Sequence, residues 1–315
     1  MVIDQKFLKI VESEYSGLRL DYWLKKNYPD FSYFLLCKLI RKGQIRVNGK
    51  RSKNITRVFH KDKIKVPELL ITQYVEKPGH NFSQSITEEV KGWIISQDKN
   101  IIVLNKPSGI SVQGGTKVKN NIDLYLGILK FNYKSRPKLV HRIDKDTSGI
   151  LIVSRTLEYA KYLTSIFKNK NIKKVYLAIV YFEVKEKFKI INSSEYIDGK
   201  KKNAQTIYKV LDSNERASLL ILRPITGRKH QIRKHMFGIE HPIVGDLKYS
   251  LKNKAEIKND FKKFGLNLHA MSISFYDKDN LQKSFIAELP KRIIENLNFF
   301  NLKFEKLNKN IFNEF

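Results

Sequence analysis

The stretch LVHRIDKDTSGILIV, residues 139–153, sets two apolar segments on either side of a short polar loop. Branched aliphatic residues favour strands, so the pattern predicts strand, loop and strand. A loop fixed between buried strands holds its side chains in place, as an active site requires. This loop contains acids, an arginine, a histidine and hydroxyls, and its residues alone fit either a catalytic loop or a structural loop with a salt bridge.

Similar apolar runs occur on both sides of this stretch and predict further strands at residues 93–95, 101–104, 176–180 and 219–222. A helical pattern covers Leu157 to Phe167. The Lys-rich segment 183–203 is typical of an excursion or a long hairpin. Together these patterns predict a mixed architecture of helices around a sheet.

Residues 17–66 predict a separate small unit. One helix carries Trp23 and ends before Pro29, and a second begins at Ser32, which is a good N-cap residue. Asn48-Gly49 is the strongest short signal for a hairpin turn, because both turn residues need a positive φ.

The second helix and the hairpin of this unit are rich in cations. Such a ridge suits a phosphate backbone, although an ordinary solvated basic face has the same pattern. The predicted RNA-binding residues of the unit are Lys38, Arg41, Lys42, Arg46, Lys50 and Arg51.

The charge of the whole chain indicates an anionic partner. Its 60 Lys and Arg against 31 Asp and Glu give a net charge of +29, which repels itself unless it is neutralised. Nucleic acid is the commonest such partner, although A/T-rich codons could supply some of the lysine. The single cysteine, Cys37, excludes an internal disulfide and fits a cytoplasmic protein. No stretch is typical of a signal peptide or a membrane span.

The sequence of residues 18–51, LRLDYWLKKNYPDFSYFLLCKLIRKGQIRVNGKR, resembles the S4-like RNA-binding domain. The shared pattern is the leading Arg-Leu-Asp, two short helices and the Arg-Lys-Gly-x-Ile-x-Val-Asn-Gly-Lys turn. The resemblance implies that this unit binds structured RNA by its shape and its phosphates.

The loop sequence HRIDKDTSG, residues 141–149, resembles the His-Arg-Leu-Asp-x-x-Thr-Ser-Gly signature of the RluA-type pseudouridine synthases. The family's catalytic aspartate falls on Asp144, whereas Asp146 falls on a variable position. Family members act on ribosomal or transfer RNA. The resemblance implies that Arg142, the arginine beside the histidine, enters the RNA.

Two further motifs match the family in the expected order. KVYLA, residues 174–178, is similar to its Lys-x-Tyr-x-Ala motif, and TGRKHQIRKH, residues 226–235, is similar to its Thr-Gly-Arg-x-His-Gln-Ile-Arg-x-His motif. The resemblance implies that Tyr176 packs on the target base and is a candidate for handling the proton at C5, and that Arg233 pairs with Asp144; these two are the predicted catalytic residues beside Asp144. Segments 104–109, 242–249 and 268–270 also fit. The remaining predicted contacts to the RNA or the base are His141, Arg228, His230, Lys174 and Ile232.

The resemblance implies an α+β fold with two domains. An S4-like domain at 1–66, with its core at 17–66, precedes a linker at 67–90. A catalytic domain at 91–315 follows, with a mixed, mainly antiparallel sheet flanked by helices, the pseudouridine synthase fold.

The implied reaction breaks the N1–C1′ bond of a uridine, turns the base and rejoins it through C5. It needs neither a cofactor nor a metal, and the loose spacing of His230, His235 and His241 does not favour a metal site. The expected partner of a monomeric, cytoplasmic enzyme is 23S ribosomal RNA or a ribosome-assembly intermediate, as in the RluC-type branch. Three alternatives remain open: an enzyme acting on transfer RNA, a non-catalytic RNA-binding assembly factor, and a hydrolase of the glycosidic bond.

Overall fold

The computed structural model describes residues 7–29, 31–72, 82–114, 120–133, 136–197, 200–251 and 253–305. The chain divides into two compact units, Met1–Asn81 and Phe82–Phe315. The first unit contains the predicted RNA-binding module, and the second contains the motifs of the predicted catalytic domain.

The first unit is a small α+β unit with its own apolar core. Ser32 caps the second of its two main helices by accepting a hydrogen bond from the Leu35 N–H. The predicted hairpin turn is present, because Asn48 and Gly49 both have positive φ. Its elements are β1 (Leu8–Ile10), β2 (Leu18–Arg19), α1 (Leu20–Asn27), α2 (Tyr33–Arg41), β3 (Arg46–Val47), β4 (Lys50–Arg51), β5 (Arg57–Val58), β6 (Lys63–Lys65) and α3 (Glu68–Thr72).

The boundary between the units differs from the predicted linker at 67–90. Helix α3 begins within that range, and its Leu70 is fully buried in the core of the first unit. A further helix at Gln84–Gly92 buries Val90 in the second unit. Weak sequence periodicity concealed both helices, since each buries little of its surface. The rest of the predicted linker, residues 73–81, lies outside the described residues.

The second unit is built on a ten-stranded sheet with helices on both faces. Its described strands follow the order β12-β13-β14-β11-β15-β10-β8-β7, with β16 paired to β15 and β9 to β10. The elements are α4 (Gln84–Gly92), β7 (Ile94–Gln97), β8 (Ile101–Lys106), α5 (Ile122–Tyr125), β9 (Lys138–Leu139), β10 (Ser148–Ser154), α6 (Leu157–Lys168), β11 (Ile172–Tyr181), β12 (Phe188–Ile197), β13 (Lys200–Ser213), β14 (Ala217–Pro224), α7 (Gln231–Gly238), α8 (Lys254–Phe264), β15 (Leu268–Tyr276), β16 (Gln282–Ile286) and α9 (Lys291–Phe299).

The α+β fold with a mainly antiparallel sheet is therefore confirmed. Among the described strands, β10 and β15 form the one parallel pair. The alternating side chains of β10 explain why the sheet is covered on both faces. Ile150 and Ile152 pack with α6, whereas Leu151 and Val153 pack with α4 and α5.

The parallel pair depends on a glycine. Gly149 has φ +106 and lies so close to β15 that a Cβ atom there would be 2.2 Å from the Ala270 carbonyl oxygen. Any side chain at this position therefore forces the two strands apart, in addition to adopting an unfavourable φ.

Within the described part of the chain, every helix is too short or too polar to cross a lipid bilayer.

We expect Gly149→Ala to lower the free energy of unfolding of the second unit by about 2–4 kcal/mol, because it combines a backbone clash with positive φ. Urea unfolding measures the change. Gly92→Ala is the matched control, since a Cβ there meets no atom within 4 Å and the residue is helical; its effect should stay within about 1 kcal/mol. Equal stability of both variants would contradict the close-approach argument.

Candidate active site

A buried lysine holds the loop that carries Asp144 through a hydrogen bond to its backbone. Lys106, at the end of β8, is fully buried, and its ammonium donates hydrogen bonds to the carbonyls of Pro107, Ile110 and Lys145 at 2.7, 2.9 and 3.0 Å. The Ser108 hydroxyl adds a bond of 2.6 Å to the Asp146 carbonyl. Burial lowers the pKa of Lys106 to about 7. The three carbonyl acceptors favour the charged ammonium, because they use all three of its protons. The backbone around Asp144 is thus fixed at two consecutive peptide groups.

Asp144 lies between a histidine and an arginine. Its side chain is 26% exposed, its Oδ1 atom lies 3.8 Å from His230 Nε2, and its Oδ2 atom lies 3.6 Å from Arg233 Nη1. Both distances exceed a hydrogen bond, so the carboxylate oxygens are oriented by charge and remain available to a reacting partner.

Arg233 pairs with Asp144 as expected, but its principal partner is Asp246. Its Nε and Nη2 atoms donate to the two oxygens of Asp246 at 2.6 and 2.7 Å, in a two-pronged pair that is almost completely buried. This geometry leaves only the Nη1 end of the guanidinium directed at Asp144. The predicted pairing is therefore the longer of two ion pairs.

His230 stands at the start of α7 in a left-handed conformation, with φ 55. Its Nδ1 atom lies 3.1 Å from the Tyr249 hydroxyl, and its Nε2 atom points at Asp144. Burial lowers the pKa of His230, although the Asp144 carboxylate acts in the opposite direction. Burial therefore favours the neutral imidazole.

Strand β11 brings Lys174 and Tyr176 to the same cavity, since residues two apart share a face of a strand. Burial and the charge of Asp144 raise the pKa of the Tyr176 hydroxyl well above its usual range. Burial lowers the pKa of Lys174. Tyr176 therefore stays a neutral phenol, which favours packing and hydrogen bonding over proton abstraction.

His141 has a structural bond in addition to its place in the cavity wall. Its Nε2 atom accepts the Ile152 N–H at 2.8 Å, and its ring stacks on Phe167 with centroids 4.4 Å apart. Burial, helped by the Lys174 charge, lowers the pKa of His141 to about 3. The histidine that was predicted to contact RNA thus also ties the loop to β10.

One cavity of about 400 Å³ collects all nine residues predicted for the catalytic domain. They are His141, Arg142, Asp144, Lys174, Tyr176, Arg228, His230, Ile232 and Arg233. Arg142 is exposed, and no polar partner is found for it within the described ranges. Arg228 donates from Nε to the Asn203 carbonyl at 3.1 Å, which ties the cavity wall to the β12–β13 hairpin.

The cavity also includes two cations that sequence reasoning missed. Lys168 and Lys170 are exposed at the end of α6 and line its rim. No motif marked them, since their place depends on where α6 ends in space. Lys106, Asp246 and Tyr249 were also given no role, although their segments fit the family pattern.

The six predicted cations of the first unit are all exposed. Arg46 donates to the carbonyls of Gly43 and Gly49, and Arg41 lies over the ring of Phe34. These contacts hold the two arginines against the hairpin and α2 while leaving their charge in solvent. Across the described ranges of both units, no group of three or more His, Cys, Asp or Glu is arranged to hold a metal ion.

Comparison with known proteins gives concordant matches. Residues 100–237 match the RNA pseudouridylate synthase family. The chain is 33% identical over 309 residues to "Ribosomal large subunit pseudouridine synthase C" of Buchnera aphidicola subsp. Baizongia pistaciae, covering 92% of this chain and 97% of the relative. It is also 33% identical over 315 residues to "Ribosomal large subunit pseudouridine synthase D" of Borreliella burgdorferi, covering 93% and 92%.

A solved structure, "Human RNA Pseudouridylate Synthase Domain Containing 4", is also similar. It is 27% identical to this chain with a TM-score of 0.60, and the match covers 70% of this chain and 98% of that structure.

The lowered pKa of His141, a half-buried residue of the cavity wall, predicts a pH dependence of stability. Its folded-state pKa of about 3 lies below the ordinary value of 6.5, so the unfolded chain binds a proton first as the pH falls. The stability contributed by neutral His141 is therefore lost from about pH 6.5 downward. We expect the free energy of unfolding to fall by about 1–2 kcal/mol more in wild type than in His141→Gln between pH 7 and pH 5. Urea unfolding at both pH values measures this, and parallel losses would show that His141 is not held neutral.

Proposed function

The chain belongs to the RluA-type RNA pseudouridylate synthase family, and from this we propose that it converts specific uridines of 23S ribosomal RNA to pseudouridine with Asp144 as the reacting carboxylate. Both bacterial relatives are named for the large ribosomal subunit, which supports that RNA over transfer RNA. In this proposal the enzyme acts as a monomer in the cytoplasm, on the RNA or on an assembly intermediate.

The observation that carries the proposal is the composition of the cavity around Asp144. Among its described lining residues, Asp144 is the one acid, and the phenol of Tyr176 lines the same space. A nucleobase removed from its stack needs an aromatic or apolar surface to replace that stack, and Tyr176 with Ile232 offers one. A site of this kind suits chemistry at a single flipped-out nucleotide.

The reaction requires one carboxylate and no other reactant. The N1–C1′ bond of uridine breaks, the uracil turns, C5 bonds to C1′, and the hydrogen of C5 leaves to solvent while N1 gains a proton. The proposal gives Asp144 the role of nucleophile or base. It is supported by the distances of the Asp144 oxygens from His230 and Arg233, 3.8 and 3.6 Å, which leave both oxygens outside hydrogen-bond range of these described neighbours. The positive charge of Arg233 balances the carboxylate once RNA excludes water.

The rim of the cavity supplies the contacts to the backbone of the RNA. Arg142, Lys168 and Lys170 are exposed there, and phosphates are the natural partners of such cations. Arg142 follows His141, which is bonded to β10, so its backbone is fixed while its side chain is free to enter the space left by the uridine.

We expect Asp144→Asn to abolish tritium release from RNA labelled at uridine C5, with a loss of at least about 10³-fold in rate, because the amide cannot serve as nucleophile or base. Binding of the RNA should change little, since Asp144 is not a cation. Asp146→Asn is the matched control, because Asp146 lies in the same loop but does not line the cavity.

The assay compares large-subunit, small-subunit and transfer RNA at one salt concentration. Release from large-subunit RNA alone supports the proposed substrate, whereas release from transfer RNA alone contradicts it. Release that survives in Asp144→Asn but not in Asp146→Asn would move the chemistry to Asp146.

The rim predicts a specific salt dependence. We expect Lys168→Ala combined with Lys170→Ala to weaken binding of the RNA and to reduce the slope of log K against log salt by about 1 for each lost phosphate contact. The rate at saturating RNA should stay within about threefold, since neither lysine touches Asp144. Lys291→Ala, at an exposed lysine outside the cavity, is the control. An unchanged slope would exclude phosphate contacts at the rim.

A further inference from the structure

The Asp246 carboxylate has an unusual concentration of hydrogen bonds for a residue that does not line the cavity. Its side chain is fully buried. It accepts Nε and Nη2 of Arg233 and also the backbone N–H groups of Lys248 and Tyr249, at 2.8 and 3.0 Å. The four bonds converge on one buried carboxylate, so the turn 246–249 and the guanidinium of Arg233 form one rigid group.

Tyr249 extends this group to the second neighbour of Asp144. Its ring lies beside the guanidinium of Arg233, with 5.2 Å from Cζ to the ring centroid, and its hydroxyl reaches His230 Nδ1. Both groups that face Asp144 are therefore oriented by the same four-residue turn.

We propose that Asp246 and Tyr249 are positioning residues for the reaction, which set the direction of Arg233 and the tautomer of His230 at Asp144. The inference rests on the proposed function, because it assigns Asp144 the reacting role. An arginine whose Nε and Nη2 are both occupied by one carboxylate has a single end free, and here that end is Nη1, 3.6 Å from Asp144.

The tautomer follows from the same geometry. A neutral imidazole has one nitrogen that donates and one that accepts. The Nε2 atom faces the Asp144 carboxylate, which can only accept, so the tautomer favoured there carries its proton on Nε2 and leaves Nδ1 to accept from the Tyr249 hydroxyl. In this tautomer His230 presents an N–H, not a lone pair, to the carboxylate.

The test is a double-mutant cycle with matched controls. Asp246→Asn keeps the volume but loses the charge and one bond of the pair with Arg233, and we expect kcat on labelled RNA to fall about 10- to 100-fold with KM nearly unchanged. In an Arg233→Lys background, where a two-pronged pair cannot form, Asp246→Asn should cost less than about threefold more. Asp277→Asn is the control, because Asp277 also accepts two backbone N–H groups in a turn but lies away from the cavity.

Nitrogen NMR of the His230 ring tests the tautomer without substrate. Wild type should show a single tautomer with the proton on Nε2, and Tyr249→Phe, which keeps the ring but loses the hydroxyl, should show a mixture. The pH profile of kcat should change in Tyr249→Phe and stay as in wild type in Asp277→Asn.

Each readout decides a different point. Tritium release by the wild-type enzyme tests the proposed function alone, whereas the NMR result tests the orientation of His230 whatever the substrate is. Independent, multiplicative losses from Asp246→Asn and Arg233→Lys, or a single His230 tautomer that persists in Tyr249→Phe, would overturn the inference. Reduced thermal stability of Asp246→Asn with an unchanged kcat would assign Asp246 to folding and overturn it as well.

Discussion

The sheet of the second unit consists of two antiparallel halves that meet at one short parallel junction among the described strands, β10 against β15. Only Ser148 and Gly149 pair there, with His269 and Ala270. The Ser148 hydroxyl also lies 2.9 Å from His269 Nδ1. Asp144 precedes β10 in one half, whereas Tyr176 and Arg233 come from the other. The close approach at Gly149 therefore brings Asp144, the acid of the proposed reaction, to Tyr176 and Arg233.

A bulge in β15, next to this junction, also helps to bring the side chains of the cavity together. The pairing of β11 with β15 shifts register between Val175 and Tyr176, so Met271 of β15 is an extra residue. A bulge turns side chains locally and is common beside active sites. Here the bulge lies opposite Tyr176, whose side chain packs against two hydrophobic clusters and lines the cavity. The parallel junction and the bulge together explain why the cavity around Asp144 lies where the two antiparallel halves of the sheet meet.

Local patterns predicted much of this arrangement. Alternating and branched apolar residues gave the strands at 101–104, 150–153 and 176–180, and capping chemistry gave α2, because each of these signals lies within one element. Strand β15 escaped, since its buried serines and His269 interrupt the apolar pattern; in the fold Ser274 and His269 form hydrogen bonds across strands. The role of Asp246 was not predicted for a different reason: its contact with Arg233 is formed only by the tertiary fold. The motifs that resemble the family identified the segments that line the cavity, but they did not show which atoms of these segments are in contact.

In the proposed function an acid works on a polyanion, and the charge of the site explains how the two can approach. Six cations, Arg142, Lys168, Lys170, Lys174, Arg228 and Arg233, surround Asp144 among the described residues of the cavity. Phosphates that approach a lone carboxylate are repelled, whereas the surrounding cations reverse the field at the rim. Asp246 occupies Nε and Nη2 of Arg233, so that arginine keeps only its Nη1 end directed at Asp144 and is not presented to phosphates at the rim. The cations of the rim are then left for the RNA, so the excess of basic residues lets RNA approach the one acid among the described residues of the cavity.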